Sequence, residues 1–343
     1  MRREIGAEKR DMLWRPPRYY AMLGAMGAEV ATYQLSRSFG ERQVVCGLDL
    51  EVAEGEVFGL LGPNGAGKTT TIRMLITLLA PTSGTASIAG FDITKQPAEV
   101  RRRIGYASQN VPWQVNSQLT GREKLEIEAA LYHVPRRECR RRAAEVLELV
   151  DLTEHADRQI SHYSGGMQKR LDLASGLLHR PDVLILDEPS LGLDVQSRHR
   201  IWDHLESLGD EKVTVLLATN YLDEADRLCD RITIIDRGNA VVTGAPSDLK
   251  RQVAADVIQV ATSRSDDLQE AIGAQPWVQR IMRTETGDVH IYVDDASVAM
   301  PALMRLSMDQ GVDFERVTYT QPTLDDVFLL HTGRELRELQ TSA

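Results

Sequence analysis

The stretch Gly62-Pro63-Asn64-Gly65-Ala66-Gly67-Lys68-Thr69-Thr70 constrains this chain more than any other. It fits the spacing G-x-x-x-x-G-K-[ST], with Gly62, Gly67, Lys68 and Thr69 at the defining positions. Glycines there let the backbone curl until successive N–H groups point inward, and such a concavity suits the oxygens of a di- or triphosphate. Lys68 adds a positive charge and Thr69 offers a hydroxyl to Mg²⁺. A helix starting here directs its positive end at the same anion. The competing reading is an ordinary glycine-rich turn, since average residue usage produces the pattern by chance in about one chain in a hundred of this length. The flanks favour the phosphate loop. Glu56 to Leu61 reads as a buried strand leading in and Thr70 to Ile76 as a helix leading out, the arrangement of a strand-loop-helix unit in an α/β sheet.

A second apolar strand, within Pro181 to Pro189, ends abruptly in Asp187-Glu188. Parallel strands present ligands at their C-terminal ends, and a buried strand that ends in acid needs a cation or partner. Asp187 suits Mg²⁺ and Glu188 suits a base that polarises water. The alternative, a helix cap after a strand, weakens once a phosphate loop is present. Val213 to Ala218 is another buried strand, leading to Thr219-Asn220. Ser164-Gly165-Gly166 sits at a helix start, where unpaired N–H groups can receive an anion, although any helix cap shares that look.

At 343 residues the chain has room for two domains, one larger than the other. Its net charge of −10 and pI of 5.4 speak against a nucleic-acid partner. Cys46, Cys139 and Cys229 lack metal-like spacing and point to a reducing compartment. The uncharged runs Met74 to Phe91 and Ile104 to Gly121 are interrupted by Pro81-Thr82-Ser83-Gly84 or rich in Ser, Asn and Gln, so no membrane span is expected, nor a signal peptide. Residues 1–29 carry Arg2, Arg3, Lys9, Arg10, Arg15 and Arg18 among Trp14, Tyr19 and Tyr20. Three readings stay open for them: a mobile solvated tail, a basic and aromatic anchor near anionic lipid, or a leader to a true start at Met22 or Met26.

Short strands are expected at Thr32 to Leu35, Gln43 to Leu50 and Thr85 to Ala89, with a helix near Ala98 to Arg103. Phe39, by itself, reads as an ordinary core or turn aromatic. In a helical segment Leu125, Ile127, Ala130 and Leu131, then Ala143, Leu147 and Val150, recur at helix-compatible spacing, and the charge run Arg136 to Arg142 between them makes a solvated helix face. From about residue 256 the order strand, helix, strand, strand, helix, strand suits a small ferredoxin-like α+β module, followed by a helix with Leu324, Val327, Phe328 and Leu329.

The phosphate loop, Gln109, Ser164-Gly165-Gly166, Asp187-Glu188 and Leu191-Gly192-Leu193-Asp194 follow one another as in an ABC-transporter ATP-binding subunit, which the chain resembles over about residues 30–245. Tyr163 to Met167, Arg170 to Ala174, Trp202, Pro322 to Phe328 and Thr332-Gly333-Arg334 resemble the daunorubicin/doxorubicin-resistance type of exporter ATPase. The resemblance implies an α/β fold. Its phosphate-loop ABC ATPase domain over 30–245 would have a mixed-sheet core and a helical subdomain over about 112–178, with a C-terminal α+β domain over 256–343.

The same resemblance implies site roles. Phe39 would stack on adenine, and Gly62 to Thr70, including Pro63, Asn64, Gly65, Ala66 and Gly67, would hold ATP with Lys68 on the β and γ phosphates. Thr69, Gln109 and Asp187 would serve Mg²⁺, and Glu188 would act as general base. Ser164, Gly165 and Gly166 would complete the nucleotide site of a second protomer, with Asp194 at the shared interface. A separate integral-membrane permease would bind near Gln109 to Arg140, which puts the chain on the cytoplasmic face of the membrane, exporting an amphipathic or drug-like compound. Asn220 departs from the histidine usual at its position; its amide donates a hydrogen bond but reaches less far and does not protonate. Losing one transition-state contact costs about 100 to 1000-fold in rate. With Glu188, Gln109 and Lys68 all present, an active ATPase is expected. The alternative is an ATP-switched, hydrolysis-impaired subunit relying on another ATPase chain. A soluble ABC protein of DNA repair or translation fits the single nucleotide domain and acidic balance poorly.

Overall fold

The computed structural model describes residues 28–108, 118–210, 213–284 and 287–333. The expectations for residues 1–27, for Gln109 and for Arg334 fall outside them. The first half alternates as its sequence suggests. Two long strands, β1 (Ala28–Phe39) and β2 (Arg42–Ala53), precede the wholly buried β3 (Val57–Leu61). After the phosphate loop come α1 (Lys68–Leu75), β4 (Ser83–Ile88), β5 (Phe91–Asp92), α2 (Pro97–Arg103) and β6 (Ile104–Ala107).

Helices then dominate: α3 (Gly121–Leu131), α4 (Arg136–Leu149) and α5 (Gly165–Leu177). Thr120 caps α3, accepting from the Glu123 N–H while the Glu123 carboxylate accepts in return from the Thr120 N–H. Gly121, Leu125 and Ala129 lie buried on one face, and Ile127 and Leu131, two residues out of phase with them, are 49% and 72% exposed. Ala143, Leu147 and Val150 are buried as the spacing suggests.

β7 (Val183–Asp187), α6 (Val195–Asp210), β8 (Thr214–Thr219), α7 (Leu222–Leu228), β9 (Arg231–Asp236), β10 (Asn239–Gly244) and α8 (Pro246–Val253) follow. A six-stranded sheet runs β10-β9-β3-β8-β7-β6, all parallel except β10. Side chains alternate across it. Val183, Ile185, Leu216 and Ala218 join Phe58, Leu60, Ile72 and Met74 on one side, while Leu184, Leu186 and Leu217 join the helical side. The antiparallel sheet β2-β1-β4-β5 contributes Val30, Leu48, Leu50 and Ile88 to the first of these cores.

The chain ends in β11 (Asp256–Ala261), α9 (Ser265–Ile272), β12 (Arg280–Arg283), β13 (Val289–Val293), α10 (Ala296–Gln310), β14 (Arg316–Thr320) and α11 (Leu324–Thr332). Its antiparallel sheet has the order β12-β13-β11-β14, the ferredoxin-like arrangement expected. Helix α11 bridges that module and the preceding one, and the Tyr292 hydroxyl on β13 donates to Asp326 at 3.1 Å. Leu324, Val327 and Phe328 are buried in the same core as Leu249, Val253, Leu222 and Ala225, each burial contributing about 1.5–3 kcal/mol. No helix among the described residues is long and apolar enough to cross a membrane.

Candidate functional site

Adjacent strands deliver the site. Leu61 pairs with Thr219, and Asp187 with Ala218, so the segments leaving β3, β7 and β8 emerge together at the carboxyl edge of the sheet. Past Leu61 the loop curls. Gly65 and Gly67 take φ of 78° and 111°, a region that glycine enters without strain. A Cβ on Gly62 would lie 2.3 Å from the Ile235 carbonyl oxygen, and one on Gly67 2.8 Å from that of Val44.

The turn between β9 and β10 backs this loop. The Gly238 N–H donates to the Ala66 carbonyl at 2.9 Å, and the Gly238 carbonyl accepts from the Cys46 N–H at 2.9 Å. Gly238, at φ 82°, has no room for a side chain, because a Cβ would lie 2.5 Å from the Val44 oxygen. Sequence reasoning missed both Val44 and Gly238. Arg237-Gly238-Asn239 signals a turn, but nothing local says what that turn touches.

Lys68 is 4% exposed. Its Nζ donates to the Gly62 and Pro63 carbonyls at 2.6 and 3.2 Å and lies 3.6 Å from Glu188 Oε1. Burial lowers its pKa, and the Glu188 and Asp187 carboxylates work against that shift. Asp187 is raised by burial above all, and its neighbour Glu188 adds to the rise; the Thr69 hydroxyl, donating to Oδ1 at 3.2 Å, opposes it. Glu188 takes a φ of 51°, uncommon for a residue with a side chain, and its N–H donates to the Ala218 carbonyl at 2.8 Å. Val44, Pro63, Asn64, Gly65, Gly67, Lys68, Thr69, Thr70 and Glu188 line a 220 Å³ cavity. A larger one, 390 Å³, lies among Arg142, Leu177 and Leu208, away from the strand ends.

The residues present fit a hard cation. Asp187 Oδ2 is buried and accepts no hydrogen bond among the described residues, and the Thr69 hydroxyl stands beside the same carboxylate.

Phe39, Ser164, Gly165, Gly166, Asp194 and Asn220 are not among the residues that line the 220 Å³ cavity. Phe39, at the end of β1, is 50% exposed with the Arg37 guanidinium 4.6 Å over its ring. Ser164 caps α5, accepting from the Met167 N–H at 3.3 Å. Ser164 and Gly165 are exposed and, with Gly166, are not among the residues lining the phosphate cavity. Asp194, also exposed, accepts from the Ser197 N–H and hydroxyl at 2.9 and 2.8 Å at the start of α6. Gly166 packs against that same serine: a Cβ would stand 2.8 Å from its Oγ. Asn220, 5% exposed, follows β8.

A phosphate cradle, a buried lysine and paired strand-end acids define a nucleotide-binding α/β protein of the phosphate-loop class. A family model described as ABC transporter matches residues 45–191, and one described as ATP-binding protein DrrA1-3-like, C-terminal domain, matches residues 244–332. The chain is 42% identical over 316 residues to the daunorubicin resistance ATP-binding protein DrrA2 of Streptomyces coeruleorubidus, covering 90% of this chain and 96% of that one. It is 40% identical over 307 residues to the Nod factor export ATP-binding protein I of Paraburkholderia xenovorans (strain LB400), covering 89% and 97%. Among solved structures it is similar to the dimeric ATP-binding cassette MJ0796 in a post-hydrolysis state bound to ADP and Pi. The TM-score is 0.56 at 26% identity, over 63% of this chain and 98% of that one. The chain therefore belongs to the ABC-transporter ATP-binding proteins of the daunorubicin-resistance family, and it binds and hydrolyses ATP. Nothing in the fold or these comparisons favours the hydrolysis-impaired alternative.

Proposed function

We propose that two copies of this chain close on ATP and drive a separate integral-membrane permease from the cytoplasmic face, exporting an amphipathic or drug-like compound. One observation carries the dimer. Ser164 and Gly165 at the start of α5 are exposed and line no part of the phosphate cavity of their own chain, and a Cβ on Gly165 would meet nothing within 4 Å. A helix start left open in this way offers its N–H groups and dipole to an anion held by another copy. The relatives' names, drug resistance in one and Nod factor export in the other, support export as the direction and a drug-like compound as the cargo.

Within one site, Gly62 to Thr70 cradle the phosphates, Lys68 leaves its carbonyl partners for the β and γ oxygens, and Phe39 stacks on the base. Glu188 takes a proton from the attacking water. Asn220 donates its amide toward the γ-phosphate. Ser164, Gly165, Gly166 and Asp194 belong to the closed interface. Thr69 and Asp187, with Gln109, would hold Mg²⁺, which neutralises the phosphate charge that develops on hydrolysis. No part of this reading uses nucleic acid. The cassette occupies residues 30–245 and the accessory α+β unit begins near 256. Phosphate release from the purified chain with ATP and Mg²⁺, beside a Glu188→Gln variant, tests the assignment. Equal rates for the two, or a Glu188→Gln variant that stays monomeric with ATP in solution scattering, would refute it.

A further inference from the structure

Glu224 is fully buried, at 0% exposure, on α7, the short helix that begins just after Asn220. Its Oε1 accepts from the Trp202 Nε1–H at 2.9 Å. Burial raises the pKa of its carboxyl, and the Trp202 donor works against that rise. Trp202 lies on α6, whose start is tied to Asp194 by the Ser197 hydrogen bonds and by the Arg198 N–H to the Asp194 carbonyl at 3.0 Å. The same helix grips the start of α7 a second time, with the Arg198 guanidinium 4.4 Å over the Tyr221 ring.

We infer that Glu224 is a positioning residue for hydrolysis, holding the short helix that follows Asn220 and the helix that starts at Asp194 in one fixed arrangement. This rests on the roles proposed above for Asn220 and Asp194. The bland alternative is a buried polar residue that only fills space. An apolar side chain among Leu222, Ala225 and Leu228 would fill that space without the desolvation that burying a carboxyl entails. The network contains none of the residues that line the phosphate cavity. Loosening it therefore lowers the rate of the chemical step and leaves nucleotide binding alone.

The test uses the purified full-length chain, ATP and Mg²⁺. Trp202→Phe removes the donor and keeps an aromatic ring, whereas Glu224→Leu removes the acceptor at similar volume. Each lowers kcat about tenfold and keeps KM for ATP within about twofold. Glu224→Gln, which retains an acceptor for Trp202, restores turnover to within about threefold of the wild type. The double variant Trp202→Phe/Glu224→Leu loses no more than the worse single one. Wild-type kcat in a folded single variant, parallel changes in kcat and KM, or additive losses would each overturn the inference. If Glu224→Leu fails to fold, Trp202→Phe and Glu224→Gln decide it alone. A wild type no faster than Glu188→Gln defeats the underlying reading of the site; an active wild type with unaffected Trp202 and Glu224 variants defeats this inference only.

Discussion

Replacing Gly238 by alanine tests whether the β9–β10 turn is what holds the phosphate loop in shape. Gly90, between β4 and β5, provides the control. Both glycines have left-handed backbones, at φ 82° and 79°, but a Cβ on Gly90 would meet nothing within 4 Å. At either position an L side chain costs about 1–2 kcal/mol, partly offset by about 0.4–1 kcal/mol from the stiffer unfolded chain. Only at Gly238 does the methyl also run into its surroundings, 2.5 Å from the Val44 oxygen and 2.9 Å from Cys46 Sγ. Backbone on one side leaves no cheap relief, and overpacking of this kind adds about 1–3 kcal/mol. Gly238→Ala should therefore melt roughly 2–6 °C below Gly90→Ala, at about 2 °C per kcal/mol for a chain of this size. Nucleotide binding should report the same strain. Val44 lines the phosphate cavity and the Gly238 N–H supports Ala66, so if about 1.4 kcal/mol of the strain falls on the bound state, affinity drops tenfold. Calorimetry and titration with a fluorescent ATP analogue measure both. Coincident melting points and equal affinities for the two variants would refute the reasoning.

Asp172, buried on α5 and accepting from the Ser108 N–H at 2.9 Å, has its pKa pushed by burial from 3.8 to about 6 despite Lys124 and Lys169. The folded state thus holds this proton more tightly than the unfolded one, and the group's cost to stability grows as pH rises from about 4 to 6 and then levels off. Asp172→Asn should be more stable than the wild type by about 3 kcal/mol at pH 7.5 and by about half that at pH 5; urea titrations showing no such pH dependence would contradict the assignment. Gly165→Ala meets open space at a helix start, so the monomer should keep its stability within about 1 kcal/mol. In a Glu188→Gln background the same change should deplete the ATP-bound dimer in sedimentation runs, and an undiminished dimer would place the interface elsewhere. Phe39→Ala should weaken ATP binding about tenfold while leaving displacement by inorganic tripolyphosphate unchanged, since stacking on a base is worth about 1–3 kcal/mol and the phosphates do not touch the ring. Equal losses for both ligands would argue against stacking.

Features encoded within a few residues of one another were legible before any fold was known. Gly62 to Thr69 form a concavity because their own φ and ψ do so, and the acids at 187 and 188 stand at a strand end because an apolar run stops there. The βαββαβ order of residues 256–320 was readable for the same reason, since each element carries its own hydrophobic period. The phase of α3 was not. Ile127 and Leu131 fit a helical stripe as well as Leu125 and Ala129 do, and only the packing of Gly121, where a Cβ would stand 2.3 Å from the Tyr163 hydroxyl, selects between the two faces.

The sequence by itself determined the phosphate cradle, the strand-end carboxylates and the helix cap at Ser164, because local geometry dictates each. Tertiary structure alone decided that Gly238 braces Ala66, that Glu224 meets Trp202, and that α11 packs against α8 and α7 while keeping its hold on β13. Strand order is the physical reason. In a sheet running β10-β9-β3-β8-β7-β6, neighbours come from distant parts of the chain, and no local spacing records which loops that order brings together.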